Sequence, residues 1–243
     1  MIFHTKGIVL RTVKYGETSL VVNLFTELFG IQSYMVNGVR SAGKLARSHY
    51  FQPSSILDLQ VYHNELKSMQ RIKEVKWNYI YKNVLSDVTK NSIALYMVEV
   101  LQKCLKQPEN NTELFEFAED ALMALDLAEN AVAANFPLFF SLQLAQFFGF
   151  TLQNTYSTTN SILDLREGIF MEHPPHHNQF LQGEHSYLIA ELMKVIHPDE
   201  LFQIRMNKFV RRDLLMALQS FYILHMQDFG VMKTLPILQE LLA

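Results

Sequence analysis

The sequence predicts an α+β protein in which a small β-barrel comes first and an all-helical domain follows. Apolar residues recur at about every second position through the first eighty residues, and at helical spacing after Tyr79. The charge changes at the same place. Residues 1–80 hold ten lysines and arginines against five acidic residues, residues 81–200 hold six against sixteen, and residues 201–243 hold five against three. We therefore expect a barrel domain over residues 1–80 and a helical domain over residues 81–243.

Five short segments carry the strand pattern, and turn residues separate them. The segments are KGIVLRTVKY, SLVVNLFTEL, IQSYMVNGV, SSILDLQVYH and KSMQRIKEVKW, with turns at YGET, LFG and HNEL. The stretch RSAGKLARSHYFQP reads as a loop or short helix closed by Pro53. Five short antiparallel strands in this length favour an OB-fold barrel.

The rest of the chain carries the helical period, apart from an irregular segment at about residues 150–183. The segment NSIALYMVEVLQKCL places a row of apolar residues on one face, which predicts that Cys104 is a buried, inert thiol. The next helix opens at NTELFEF, with Asn111 or Thr112 as its N-cap. Further helices are expected near residues 136–148, over HSYLIAELMKVI, over NKFVRRDLLMALQSFYILHMQDFG and at LPILQELLA.

Composition excludes several classes of protein. A single cysteine permits no intramolecular disulfide, which fits a reducing cytoplasm, and MIFHTKGIVLRT is not a secretory signal. Residues 130–163 hold no charged residue, but polar residues and Pro137 interrupt them, so we expect a buried helix there and no membrane span.

Residues 38–45, GVRSAGKL, match the first seven positions of the phosphate-binding loop G-x-x-x-x-G-K-[ST]. Leu45 stands where that loop needs a hydroxyl to coordinate magnesium, and Pro53 leaves room for only a short helix after it. We therefore interpret the loop as a basic segment that contacts a phosphate backbone, with Arg40, Lys44 and Arg47 as its cations.

The other cations of the barrel would extend this surface, and tyrosines would stack on unpaired bases. The candidate cations are Lys6, Arg11, Lys14, Arg71, Lys73 and Lys76, and the candidate aromatic residues are Tyr15, Tyr34, Tyr50 and Tyr62. Arg71 and Lys73 share a face if their strand is regular. Barrel packing is the competing interpretation of each tyrosine.

Two clusters lie in the helical part. His173, His176 and His177 are close in sequence, but the two prolines between them and the lack of a nearby cysteine favour a solvated loop over a metal site. A second cluster beside apolar residues suits an acidic peptide, with a solvated helix face as the alternative. Its members are Arg205, Lys208, Arg211 and Arg212.

These features together resemble the RecO family of bacterial recombination mediators, over essentially the whole chain. The most specific part is GIVLRTVKYGETSLVVNLFTELFG, followed by VNGVRS and by FQPSSILDLQVYHNELKSMQRIKE. The segments NTELFEFAEDALMALD, FPLFFSLQLAQFFGF and RRDLLMALQSFYILHMQDFGVMKTLPILQEL match the helical part in order and spacing.

The resemblance implies an OB-fold joined to a helical domain, binding of single- and double-stranded DNA, strand annealing, and loading of RecA together with RecR and the single-stranded DNA-binding protein. Arg11, Lys14 and Arg40 match the family's basic barrel residues. Many members hold a four-cysteine zinc site after the Phe-rich helix. This chain has none of those cysteines, so we expect no metal or cofactor, and packing around Ile162, Leu163, Ile169 and Phe170 instead.

The sequence thus predicts a non-enzymatic, cytoplasmic DNA-repair mediator. Its barrel would bind DNA, and its helical domain would bind proteins, with the acidic tail of the single-stranded DNA-binding protein near residues 205–212. The alternative is an interaction scaffold whose barrel binds no nucleic acid, because the acidic middle of the chain would repel DNA if it lay beside the barrel. A nucleotide hydrolase is the third hypothesis, which an ATP titration with magnesium would test.

Overall fold

The computed structural model describes residues 1–38 and 45–242, with the backbone alone at residues 45–47. In its first part, five strands close into a barrel in the order β1-β2-β3-β5-β4. They are β1 (Ile2–Tyr15), β2 (Ser19–Thr26), β3 (Gly30–Val36), β4 (Ile56–Tyr62) and β5 (Gln70–Trp77). The predicted barrel and helical domain are confirmed.

One strand pair differs from the expected antiparallel order. β3 and β5 pair in parallel, through Tyr34 with Gln70 and Met35 with Arg71. A closed barrel with an odd number of strands cannot alternate direction all the way round, so one neighbouring pair must be parallel. The connection from β3 to β4 contains a 3-10 helix, Leu45–Phe51, whose Phe51 belongs to the barrel core.

The barrel interior follows from the alternation of β2 and β4. Val22 and Leu24 of β2 and Leu57, Leu59 and Val61 of β4 are buried in one cluster, while their sequence neighbours point outward. Register carries this parity to the paired residues of neighbouring strands, except where it shifts between Val9 and Arg11 of β1 and between Gln60 and Val61 of β4.

The helices begin and end close to the predicted places. They are α1 (Val88–Cys104), α2 (Thr112–Leu127), α3 (Asn130–Gln146), α4 (Glu184–Leu192), α5 (Lys208–His225) and α6 (Thr234–Leu241). Asn111 is the cap of α2, since its Oδ1 accepts a hydrogen bond from the backbone N–H of Leu114 at 2.9 Å. Cys104 is buried as predicted, and burial raises the pKa of its thiol. Among the described residues, no helix has the length and apolarity to cross a membrane.

The segment predicted to be irregular contains a small sheet in the order β7-β6-β8. Its strands are β6 (Ile162–Asp164), β7 (Ile169–Met171) and β8 (Phe180–Leu181), each too short to show a period in the sequence. Ile162, Leu163 and Phe170 are buried, and Ile169 is half-buried, as the packing hypothesis expects.

The described chain divides into two compact units, which we call the barrel unit and the helical unit. The barrel unit comprises Met1–Leu85 and Leu101–Asp126, and the helical unit comprises Ser86–Val100 and Leu127–Ala243. Helix α2 joins the barrel because Phe115 packs on Phe25, with ring centroids 5.4 Å apart. The predicted domain boundary at residue 80 stays a prediction.

Candidate nucleic-acid interface

The strand register places Arg71 in a row of outward-facing side chains on the barrel. Cross-strand partners point to the same side of a sheet, and Arg71 is the partner of Met35 on β3 and of Tyr62 on β4. The row continues through Met35 to Val21 and Val13. Arg71 is therefore a single cation within an otherwise apolar outer row.

Arg11 also points outward, in the adjacent row of the barrel surface, but it lies on β1, with β2 and β3 between it and Arg71 on β5. Its partner is Asn23, whose partner is Ser33, and the Ser33 hydroxyl donates to Asn23 Oδ1 at 3.0 Å. No described acidic side chain forms an ion pair with Arg11 or Arg71. Both guanidinium groups can therefore contact phosphate without breaking an existing ion pair.

Lys14 lies at a position of β1 that faces the opposite side of the sheet from Arg11. It pairs with Leu20 of the barrel core and stays exposed because it lies near the end of β1. Leu20 pairs in turn with Val36, so Lys14 stands two strands, roughly 10 Å, from the last residue of β3. It therefore borders the barrel end and does not lie in the row of Arg11.

Beside Arg71 lies a groove of about 570 Å³, which we call the basic groove. The end of β3, the 3-10 helix and β5 form its walls, and the lining includes Arg71, Lys73 and Lys76 against a single carboxylate, that of Glu74. A register shift near Lys73 interrupts the regular alternation of β5. Lys73 donates to Gln60 Oε1 at 3.2 Å and lies 4.0 Å from Glu74 Oε1. The groove therefore carries an excess of positive charge.

Three rings adjoin the basic groove, and we call them the aromatic cluster: His49, Tyr50 and Trp77. Ring centroids are 4.5 Å apart for His49 and Tyr50, 4.9 Å for Tyr50 and Trp77, and 5.8 Å for His49 and Trp77. Sequence reasoning found Tyr50 but missed His49 and Trp77. The only signal was that a histidine and the sole tryptophan each adjoin a predicted basic or aromatic residue.

Lys6 is already neutralised. Its Nζ lies 2.6 Å from Glu119 Oε2 on α2 and 5.9 Å from the centre of the Phe115 ring. The hydrogen bond with Glu119 raises the pKa of Lys6 above its ordinary value, against a smaller lowering by burial. This geometry favours a role for Lys6 in fixing α2 on the barrel over a role in binding DNA.

The four candidate tyrosines separate by burial. Tyr34 is in the barrel core, so it cannot stack on a base, and desolvation raises the pKa of its hydroxyl. Tyr15 and Tyr62 are exposed, and Tyr50 is half-buried. Barrel packing is thus the correct interpretation for Tyr34.

Comparisons with known proteins agree with this architecture at both ends of the chain. The family model described as recombination protein O, N terminal, matches residues 1–81, and the model described as recombination protein O, C terminal, matches residues 85–234. The chain belongs to the RecO family of DNA repair proteins.

Its similar relatives cover it almost completely. The DNA repair protein RecO of Phocaeicola vulgatus is 30% identical over 241 residues, which are 99% of each chain. That of Flavobacterium johnsoniae is 30% identical over 244 residues, or 98% of each chain, and that of Azobacteroides pseudotrichonymphae is 28% identical over 240 residues, or 99% of each. The family resemblance that we saw in the sequence is confirmed.

The zinc site that the RecO resemblance implies for many members does not fit this chain. The described residues hold no group of three or more metal-ligating side chains. In the small sheet, Asp164 Oδ1 accepts from the N–H groups of Arg166 and Glu167, and Asp164 Oδ2 lies 3.2 Å from His177 Nε2. His177 Nδ1 accepts from the N–H of Gln179 at 3.2 Å. Both ring nitrogens of His177 thus have protein partners, and His173 and His176 do not join them.

Of the loop cations, Arg40 and Lys44 lie outside the described residues. Arg47 belongs to the 3-10 helix, without a described side chain. The groove-lining Asn37 precedes this segment in the chain, and the groove-lining His49 follows it. The role of the three cations stays a prediction.

The basic cluster of the helical unit divides in two. Arg205, Lys208 and Arg212 are exposed, whereas Arg211 donates to Asn135 Oδ1 at 3.1 Å and to the carbonyl oxygens of Met206 and Leu242. Burial lowers the pKa of Arg211, which indicates a structural position. Lys208 lies 5.4 Å from the ring centre of Phe209, an exposed phenylalanine. A partner can therefore reach three of the four predicted cations.

Proposed function

We propose that this chain is a non-enzymatic recombination mediator that binds single- and double-stranded DNA on its barrel, promotes strand annealing and helps to load RecA. Its partners are RecR and the single-stranded DNA-binding protein, and its compartment is the cytoplasm. The outward placement of Arg11 and Arg71 on the barrel surface, without acidic partners, carries this proposal.

Annealing would follow from charge neutralisation on the barrel surface. Two DNA strands repel each other through their phosphates, and cations that neutralise phosphates release counterions and lower that repulsion. Arg11, Arg71 and the cations of the basic groove would hold one strand by its backbone. Its bases would then stay available for pairing with a second strand.

The geometry of residues 45–51 supports the non-enzymatic part of the proposal. A phosphate-binding loop opens a long α-helix, whose N-terminal amides hold the phosphates. Here Leu45 begins a 3-10 helix of seven residues in a barrel connection. Leu45 also offers no hydroxyl for magnesium.

For the helical unit, the proposal places an acidic peptide tail against Arg205, Lys208 and Arg212. Phe209 and Arg212 are three residues apart on α5, so both lie on one face of the helix, with exposed Met216 one turn further. An acidic tail with an apolar residue would match the cations and the exposed ring. Arg211 is left out because its guanidinium already binds the helical unit.

Changing Arg11 and Arg71 together to glutamine is expected to weaken binding of single-stranded DNA roughly tenfold. The plot of log affinity against log salt should also become shallower by about 1.4, since two phosphate contacts are lost. Fluorescence anisotropy of a labelled oligonucleotide at several salt concentrations measures both effects. The control variant changes Lys67 and Lys82, two exposed lysines of the same unit, to glutamine. Equal losses in both variants would show that total charge, and not Arg11 and Arg71 in particular, binds the DNA.

Changing Arg40, Lys44 and Arg47 together to alanine is expected to make the same salt plot shallower by about 2, because three cations are removed. The same anisotropy titration measures it, against the Lys67 and Lys82 variant. If affinity and slope both stayed at their wild-type values, the predicted role of this loop would be wrong.

A scaffold whose barrel binds no nucleic acid is the second candidate function, and helix α2 is the observation that favours it. Glu113, Glu116 and Asp120 are exposed on one face of α2, within the barrel unit. Their negative charge opposes DNA near them. Wild-type protein that fails to bind any oligonucleotide at low salt would overturn the mediator proposal and favour the scaffold.

A further inference from the structure

We propose that the aromatic cluster is a stacking platform for an unpaired base, so that the basic groove selects single-stranded over double-stranded DNA. This inference rests on the proposed function and specifies which form of DNA one part of the barrel recognises. The observation behind it is that three aromatic rings lie beside a groove that carries excess positive charge.

Two rings of the aromatic cluster are held by the barrel core, and the third is exposed. Tyr50 and Trp77 are half-buried and pack against that core, while the exposed His49 ring contacts both of them. The interplanar angles are 30° for His49 and Tyr50, 31° for His49 and Trp77 and 41° for Tyr50 and Trp77, so the three rings form one compact cluster of mutually tilted faces. A ring that already packs on a core loses little freedom when a base stacks on the cluster.

The cations around the platform match a polynucleotide better than an apolar ligand. Arg71, Lys73 and Lys76 follow one another along β5, and at the usual strand rise they are roughly 7 Å and 10 Å apart. Trp77 comes directly after Lys76. Repeated cations with an aromatic surface at one end are the arrangement that binds single strands, in which rings stack on bases while cations hold the backbone.

Selectivity for single strands follows from access to the base. In a duplex both faces of each base are covered by neighbouring base pairs, so a duplex can offer its phosphates but not a base face. The groove volume of about 570 Å³ lies within the range of clefts that hold small ligands, which suits a few nucleotides of one strand. The cations alone would bind both DNA forms, and the rings would add affinity for the single strand only.

Trp77 makes the proposal measurable, because it is the only tryptophan of the chain. Titration of the wild-type protein with an oligothymidylate strand is expected to quench Trp77 emission, whereas the same strand annealed to its complement should leave the emission nearly unchanged. Equal quenching by both DNA forms, or by neither while anisotropy shows binding, would overturn the platform.

The variant His49→Ala removes the exposed ring and leaves the packed rings in place. We expect its affinity for oligothymidylate to fall about fivefold or more, the loss of one stacking contact, and its affinity for the duplex to stay at the wild-type value. His49→Phe keeps a ring and should restore binding of the single strand. His4→Ala is the matched control, since His4 is also an exposed histidine of the barrel but does not line the basic groove.

These outcomes separate the platform from the proposed function. If His49→Ala and His4→Ala bind the single strand equally well, the platform is wrong while DNA binding by the barrel stands. If the wild-type protein binds neither DNA form, the proposed function fails and the platform fails with it.

Discussion

Changing Asp126 to alanine is expected to destabilise the barrel unit by about 3–5 kcal/mol, because each donor that loses a buried acceptor costs roughly 1–3 kcal/mol. Asp126 is fully buried at the end of α2, and its carboxylate accepts at least four hydrogen bonds. Oδ1 accepts from the N–H groups of Asn83 and Val84 at 2.7 and 2.8 Å, and Oδ2 accepts from the N–H of Lys82 at 2.8 Å and the hydroxyl of Tyr79 at 3.0 Å. Alanine would leave the backbone N–H groups of Lys82, Asn83 and Val84 without this acceptor, and a buried donor that loses its acceptor is costly.

Urea denaturation followed by Trp77 fluorescence measures this effect, since Trp77 and Asp126 belong to the same unit. The matched control is Asp120→Ala, the same change at an exposed position of the same helix. Asp126→Asn should lie between wild type and alanine. The asparagine amide keeps one acceptor oxygen. Its NH₂ group would face the donors that bonded to the other carboxylate oxygen. Equal destabilisation by Asp126→Ala and Asp120→Ala would mean that the carboxylate does not hold residues 82–84.

The same group predicts how stability depends on pH. Burial acts to raise the pKa of Asp126, but the hydrogen bonds from the backbone of Lys82, Val84 and Asn83 and from Tyr79 together lower it below its ordinary 3.8. A carboxyl group whose folded pKa is lowered stabilises the fold above its unfolded pKa and loses that contribution as the pH falls through the folded value. The stability difference between wild type and Asp126→Asn should therefore be constant near neutral pH and shrink below about pH 4.

The barrel strands and the apolar faces of the helices could be predicted because each of those elements is long enough to show its period. Strands of seven residues or more and helices of eight or more display their buried face directly in the sequence. The sheet at residues 162–181 could not be predicted in this way, because strands of two or three residues show no period. Long-range pairing and the turn at Gly168, with φ of +69°, form that sheet.

The sequence predicted which residue types form the candidate site but not how those residues are arranged in space. Lys6 and Arg11 lie on one strand, yet Lys6 pairs with an acid 113 residues away, which no local pattern reveals. Arg211 and Arg212 are neighbours on α5, but their side chains point about 100° apart, and only one enters the packed interior. His49 and Trp77 meet across a barrel connection. Such pairs become visible only when register and packing are known.

Changing Gly30, the first residue of β3, to alanine is expected to destabilise the barrel unit by about 2–5 kcal/mol. Gly30 has φ of +60°, and a Cβ built there would lie 2.1 Å from the carbonyl oxygen of Glu109 and 2.7 Å from its carbonyl carbon. Both are backbone atoms of the connection between α1 and α2, so relieving the overlap must move that chain or the turn between β2 and β3. Strain of the left-handed backbone adds about 1–2 kcal/mol, and the overlap about 1–3 kcal/mol more.

Gly16→Ala separates these two costs. Gly16 has φ of +58°, but a Cβ added to it would meet no atom within 4 Å, so its substitution costs the backbone strain alone. Urea denaturation of both variants should therefore give a larger loss for Gly30→Ala, by roughly 1–3 kcal/mol. If the two losses were equal, the connection at Glu109 would yield without cost, and its contact with the turn would contribute little to the barrel unit. If Gly30→Ala is the more costly, position 30 requires glycine for two reasons: its positive φ, and the lack of space for a Cβ beside the backbone of Glu109.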